Sequence, residues 1–175
     1  MDITLLSENS IKIKGKKASF IIDPEKEMQK NNADAIILLG NNSVDLSRVT
    51  DSRVVIDGAG EYEVGRCKIN GIRSGEDIVY SLNIDNIDIL VGKASSLNNV
   101  VDKLQEQKVA VINVDSEIKE SIVTAIEPRL VVFYGQKREE AVKALGKETS
   151  EVEKTKKLSF NEDKLPEEMG VAVLS

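Results

Sequence analysis

The residues of this chain that could do chemistry are carboxylates, one thiol and a glycine-rich turn; there is no histidine among its 175 residues. Asp45, Asp57, Glu61 and Glu63 are oxygen donors. Glu61 and Glu63 stand two apart on an expected strand and therefore share a face, where an aspartate from a neighbouring loop could join them on a hard cation such as magnesium or calcium. The competing view is that both simply face solvent. Gly58-Ala59-Gly60 has the composition of a phosphate-cradling loop, but no Gly-Lys-Ser/Thr follows and no helix N-terminus would receive the anion, so a turn is expected there. Cys67 has only Arg66 and Lys68 beside it and no imidazole to deprotonate it, which suits a small buried hydrophobe better than a nucleophile. As the only cysteine it also excludes an internal disulfide and a cysteine-rich metal cage.

These groups are carried by a β-rich scaffold. Asp57-Gly58-Ala59-Gly60-Glu61-Tyr62-Glu63-Val64-Gly65 is a turn feeding a strand, and Asn70-Gly71 is expected to be a tight turn into the next. Upstream, Ile3 to Leu6, Ile11-Lys12-Ile13-Lys14 and Ser19-Phe20-Ile21-Ile22 form a three-strand meander stopped by Asp23-Pro24. Glu25 to Asn32 is expected to make a short helical turn before the apolar strand Ala35-Ile36-Ile37-Leu38-Leu39. Val54-Val55-Ile56 follows, and Asp85-Asn86 closes a hairpin between Ile78 to Ile84 and Ile87 to Val91, both residues tolerating positive φ.

After residue 96 the pattern changes. Leu97 to Gln107 is expected to be a helix, Val109 to Ile112 a buried strand, Ile118 to Ile126 a helix closed by Pro128, Leu130 to Phe133 a strand and Glu139 to Leu145 a helix. That alternation implies parallel pairing with right-handed crossovers. Glu148 to Lys157 is expected to be a solvated connection, with Lys157 to Phe160 and Val171 to Leu174 as final strands.

Composition narrows the function. Hydrophobic residues are 41% of the chain and aromatics 3%, so the core must be Ile, Val and Leu. The length suits one domain, residues 1–175. Thirty acidic against 24 basic residues give a charge of −6, which works against binding nucleic acid. Met1-Asp2-Ile3-Thr4 has no secretory signature and no apolar run approaches a membrane span, which leads to an expectation of a cytoplasmic protein with no membrane partner.

The order of these phrases resembles the metallo-β-lactamase-fold hydrolases, in the branch related to ascorbate-6-phosphate lactonase. Asp57 to Val64 resembles that branch's Pro-Gly-Glu-Tyr-Glu-Val block, with Ala59 for the proline. Ile21-Ile22-Asp23-Pro24 resembles its Leu-Ile-Asp-Pro, Ala33-Asp34-Ala35-Ile36-Ile37-Leu38-Leu39 its Ala-Asp strand, Ile126-Glu127-Pro128-Arg129-Leu130 its Lys-Pro-Lys segment, and Leu165-Pro166-Glu167-Glu168 its closing phrase. The resemblance implies an αββα sandwich of the α/β class.

It also implies where metal ligands would stand, and none of the histidines is present. The opening turn has Glu8 or a neighbour in place of its histidine. The loop that carries His-x-His-x-Asp-His in active relatives reads Gly40-Asn41-Asn42-Ser43-Val44-Asp45. The bridging Gly-Asp phrase falls at Gly92-Lys93, where the lysine would repel a cation, and no histidine follows Val132-Phe133-Tyr134-Gly135. Glu8, Asn41, Asn42 and Ser43 would then line an emptied pocket, either binding a small polar ligand or merely hydrating a filled site. The expected protein is a non-catalytic member of the fold, without cofactor, acting as a binding or assembly module for an unknown protein or small polar ligand. The alternatives are a residual hydrolase with a carboxylate-held metal at Asp45, Asp57 or Glu61, and a sensor of a small polar ligand. Members of that branch commonly assemble, which makes a homo-oligomer a further expectation of the resemblance.

Overall fold

The computed structural model describes residues 1–40, 43–104, 106–150 and 152–175. The chain opens with the meander of β1 (Asp2–Leu5), β2 (Ile11–Lys14) and β3 (Ser19–Ile22). In β2 the alternation does what its period demands, burying Ile11 and Ile13 completely while Lys12 and Lys14 turn outward. The helical turn expected over Glu25 to Asn32 does not form. A single apolar residue, Met28, gives that segment no helical stripe; Met28 is buried beside Ile21 and Ile36, and the Lys12 ammonium bonds Asn31 Oδ1 at 2.9 Å, leaving a turn and the two-residue β4 (Asn31–Asn32).

Next come β5 (Ala35–Ile37), β6 (Val49–Thr50), which pairs with β4, and β7 (Val54–Ile56). The start of β5 is tied to β3 by Asp34, whose Oδ2 accepts from Ser19 N–H at 2.8 Å and Ser19 Oγ at 2.9 Å. The backbone N–H first, then the hydroxyl, hold this carboxyl below its ordinary value of 3.8. Its contribution to stability is therefore complete above that value and is lost as pH falls through the folded-state one. Acid unfolding of Asp34→Asn is expected to be less steep than wild type below about pH 4; parallel curves would remove Asp34 from the account.

β8 (Gly60–Val64) and β9 (Cys67–Ser74) form a hairpin that turns at Gly65-Arg66, both at positive φ. Asn70-Gly71 is thus not a turn but the middle of β9. Gly71 lies opposite Tyr80, and a Cβ on it would stand 2.8 Å from that ring and 2.9 Å from the Gly58 carbonyl, so this glycine answers a close approach. β10 (Asp77–Ile84) and β11 (Ile87–Lys93) are joined at Asp85-Asn86, with φ of 53° and 67° as expected of a tight hairpin.

The expected helix over Leu97 to Gln107 shrinks to α1 (Ala94–Leu97) and a 3₁₀ turn at Val101–Lys103; Gln105 lies outside the described residues. Asn98, Asn99, Val100 and Val101 are weak helix formers, and Val100 is fully buried instead. β12 (Val109–Asn113), α2 (Glu120–Ile126), β13 (Leu130–Tyr134) and α3 (Arg138–Ala144) follow as expected. The charged stretch after α3 contains β14 (Glu153–Thr155) rather than only a solvated link: Val152 is buried, and the strand pairs with the last one through backbone groups that no side-chain pattern reveals. β15 (Lys157–Ser159) joins β1, and β16 (Gly170–Leu174) inserts between β13 and β14.

Among the described residues the strands make a six-stranded sheet, β15-β1-β2-β3-β5-β7, and an eight-stranded sheet, β14-β16-β13-β12-β11-β10-β9-β8. The sheets face each other across one cluster of mainly Ile, Val and Leu, with Phe20 and Tyr80 fully buried in it. A second cluster seats α1, α2 and α3 on the far side of the eight-stranded sheet. The outer face of the six-stranded sheet is covered by Met28 and the β4–β6 ribbon, so the sandwich is thinner there than the expected αββα pattern.

Candidate functional site

β11, β12 and β13 run parallel, and Lys93, Asn113 and Tyr134 are successive register partners at their carboxyl ends. Val91, Val111 and Val132, two residues earlier, fill the core between the sheets. Side chains two apart share a face, so the three polar residues cap that core as one row. The end of β3 faces them from the other sheet. Between lies a cleft of about 300 Å³, lined by Asp23, Glu25, Lys93, Asn113 and Asp115, with Asn9, Ser43 and Gln136 at its rim. Carboxyl ends of parallel strands are a common place for ligands because loops leave them in diverging directions.

Each charged group is held by neighbours. Asp23 is 1% exposed and left-handed at φ 43°; its Oδ1 accepts from Leu39 N–H at 2.9 Å, binding the end of β3 to that of β5. Glu25 accepts from Ser7 Oγ, from Asn9 N–H at 3.2 Å and from Asn9 Nδ2 at 2.8 Å, which pins the turn between β1 and β2 over the cleft. Asp115 accepts from Ser95 N–H at 3.0 Å and Ser95 Oγ at 2.6 Å and so joins the loops after β11 and β12. Lys93, 9% exposed, donates to Asp77 Oδ1 at 2.8 Å.

Two atoms of the row stand apart. Asn113 is 3% exposed and Tyr134 fully buried, yet Asn113 Oδ1 and the Tyr134 hydroxyl have no partner in hydrogen-bond geometry. Burial pushes the Tyr134 phenol well above its usual range, the Asp23 and Glu25 carboxylates push it further, and the Asn113 side chain, close enough to hydrogen-bond the phenol at poor geometry, opposes them. The hydroxyl therefore stays protonated. A buried polar atom without a well-formed hydrogen bond costs roughly 1–3 kcal/mol.

The residues singled out from the sequence divide. Ser43 lines the cleft, and Glu8 sits exposed at the rim, within 3.5 Å of the Gln136 amide. Asn41 and Asn42 lie outside the described residues. Asp45 turns back on its own chain: it caps the 3₁₀ turn Leu46–Arg48, accepting from Ser47 Oγ at 2.6 Å and pairing with Arg48 at 3.3 Å. The Ser47 hydroxyl is the largest influence holding its carboxyl low. Asp57 is exposed between β7 and β8. Glu61 and Glu63 share a face of β8, as expected, but line a separate shallow groove with Arg66, Lys68 and Asp88. Asp45, Asp57 and Glu61 therefore do not converge, and among the described residues no three Asp, Glu, Cys or His come together as a metal group. Cys67 is buried, and burial raises its thiol pKa.

Sequence reasoning missed Asp23, Glu25, Asn113, Asp115 and Gln136 as site residues. A signal was present: Asp23, Lys93 and Asn113 are each the first charged or amide residue after a buried apolar run.

No family profile and no curated protein matches the sequence. The fold does match solved structures. One, from Thermotoga maritima, is described as a zinc-dependent hydrolase of the metallo-β-lactamase superfamily; it superposes with a TM-score of 0.77 at 17% identity, over 99% of this chain and 98% of that one. A second, from Parabacteroides distasonis and described as a metal-dependent hydrolase, gives 0.63 at 15% identity, covering 99% and 93%. An isothiocyanate hydrolase from Delia radicum gut bacteria gives 0.58 at 10% identity, covering 91% and 99%. The architecture is that of the metallo-β-lactamase fold.

Proposed function

We propose that this chain is a non-catalytic member of the metallo-β-lactamase fold that works as a binding module, with the cleft at the ends of β3, β11 and β12 as its binding surface. The observation that carries this is the Lys93–Asp77 pair. It puts a fixed ammonium into the cleft, on the strand end where the sequence resemblance leads to a metal-bridging aspartate. Divalent metals of the kind named for the structural neighbours do not fit this donor set. The chain has no imidazole, Glu25 and Asp115 are engaged by Ser, Asn and backbone donors, and Lys93 opposes a cation. Kinship with the ascorbate-6-phosphate lactonase-like branch is supported by phrases such as Ile21-Ile22-Asp23-Pro24.

A carboxylate-held metal at Asp45, Asp57 or Glu61 draws no support, since these residues stand at separate places. Untagged protein purified from medium supplemented with zinc and manganese is expected to carry negligible metal by elemental mass spectrometry. Stoichiometric zinc or manganese, with hydrolysis of a lactone or phosphodiester that a chelator abolishes, would overturn the proposal. Among the described residues no helix is long and apolar enough to cross a membrane.

A further inference from the structure

We propose that the free edge of β7 is a pairing surface for a second copy of this chain, two β7 strands meeting antiparallel about a two-fold axis at Val55 and joining two six-stranded sheets into one. The inference stands whether or not the cleft binds anything. β7 ends the order of its sheet, with β5 on one side and, among the described residues, no strand on the other. Ile56 C=O accepts from Leu38 N–H at 2.9 Å and so points at β5. Backbone groups alternate in direction along a strand, which turns the N–H and C=O of Val55 to the open side, where two copies can exchange both bonds.

The side chains say which partner fits. Leu46, Val54 and Val55 are the exposed large hydrophobics of the described residues, and two of them lie on this three-residue strand, at 37% and 39% exposure. A two-fold axis at Val55 sets Val54 opposite the partner's Ile56 and Val55 opposite the partner's Val55. One step outward on each side it sets Arg53 opposite the partner's Asp57, so the two strands are complementary in charge as well as shape. Arg53 and Asp57 are both exposed and, among the described residues, in no ion pair within the chain. Arg53 N–H is already given to the Asp34 carbonyl at 3.0 Å, so these ends meet through their side chains and the shared ladder is the Val55 exchange. The other edges are guarded. On β8 an antiparallel pair centred on Tyr62 would set Glu61 against Glu63, like charges, and β14 and β15 expose Glu153, Lys154 and Lys157.

So short a contact sits at the low end of interface size, and a dimer with a Kd of about 100 µM is expected, read by sedimentation equilibrium of untagged protein from about 10 to 1000 µM. Arg53→Asp and Asp57→Arg each set like charges opposite one another at both ends of the pairing and are each expected to weaken dimerisation about tenfold or more. An equimolar mixture of the two variants restores opposite charges, as does the double variant Arg53→Asp/Asp57→Arg, and both are expected to return to within about threefold of wild type. Recovery in the mixture also shows that each variant is folded. Val55→Lys puts two ammonium groups at the two-fold axis and is expected to leave a monomer whose melting temperature stays within about 2 °C of wild type. Wild-type protein that stays monomeric at the highest concentration overturns the inference and leaves this edge to a strand of another protein. A dimer or larger oligomer that Val55→Lys does not weaken overturns it as well, as do charge reversals that the mixture does not rescue.

Discussion

Replacing Asp77 by alanine is expected to destabilise the protein by about 2–4 kcal/mol in urea unfolding, because it leaves the Lys93 ammonium without its carboxylate. The pair is well shielded, with side-chain exposures of 11% for Lys93 and 22% for Asp77 and a separation of 2.8 Å. Most of the cost comes from removing the carboxylate beside a shielded ammonium, not from the lost attraction. The other carboxylates of the cleft soften it, which sets the estimate below the roughly 3–5 kcal/mol of a fully buried broken pair. The double variant Asp77→Leu/Lys93→Met removes both charges and is expected to recover to within about 1 kcal/mol of wild type. A loss under about 0.5 kcal/mol for Asp77→Ala would mean the pair behaves like a surface ion pair, and the argument that Lys93 is a built part of the cleft would fall.

Gly135→Ala is expected to cost a similar amount, about 2–4 kcal/mol, from two sources. The residue has φ 93°, where an L side chain is strained, and its Cβ would meet Asn113 Oδ1 at 2.4 Å and Val114 N at 3.1 Å. Gly146 is the control. It also has positive φ, 67°, but open space around the Cβ position, so Gly146→Ala isolates the backbone part, about 1 kcal/mol. Equal losses at the two sites would show that Asn113 is not held against Gly135, and would remove the geometry on which its unpartnered oxygen depends.

The strands were legible wherever apolar residues ran together or alternated, as in Ile11 to Lys14 and Val109 to Ile112, because the period is local and survives without tertiary help. Asn70-Gly71 misled because that pair usually marks a turn, whereas here the glycine makes room for the Tyr80 ring across the ladder. β14 was hidden for a related reason: an edge strand held by backbone pairing and one buried valine has no pattern of its own. The helix expected from Leu97 onward fails at Asn98, Asn99, Val100 and Val101, weak helix formers of which Val100 is buried in the second cluster.

By itself the sequence determined the chemistry that is unavailable and the material of the core. A chain without histidine and with one buried cysteine cannot assemble an imidazole metal centre or a thiol–imidazole pair, however it folds. A core poor in aromatics had to be built from Ile, Val and Leu. What only the tertiary structure decided is which polar residues meet. Lys93, Asn113 and Tyr134 are about twenty residues apart from one to the next and Asp23 is seventy from the first; they converge because parallel register brings the carboxyl ends of β11, β12 and β13 level and the second sheet lays the end of β3 opposite them. Register between strands is set by crossovers and by packing across the core, which no local period encodes.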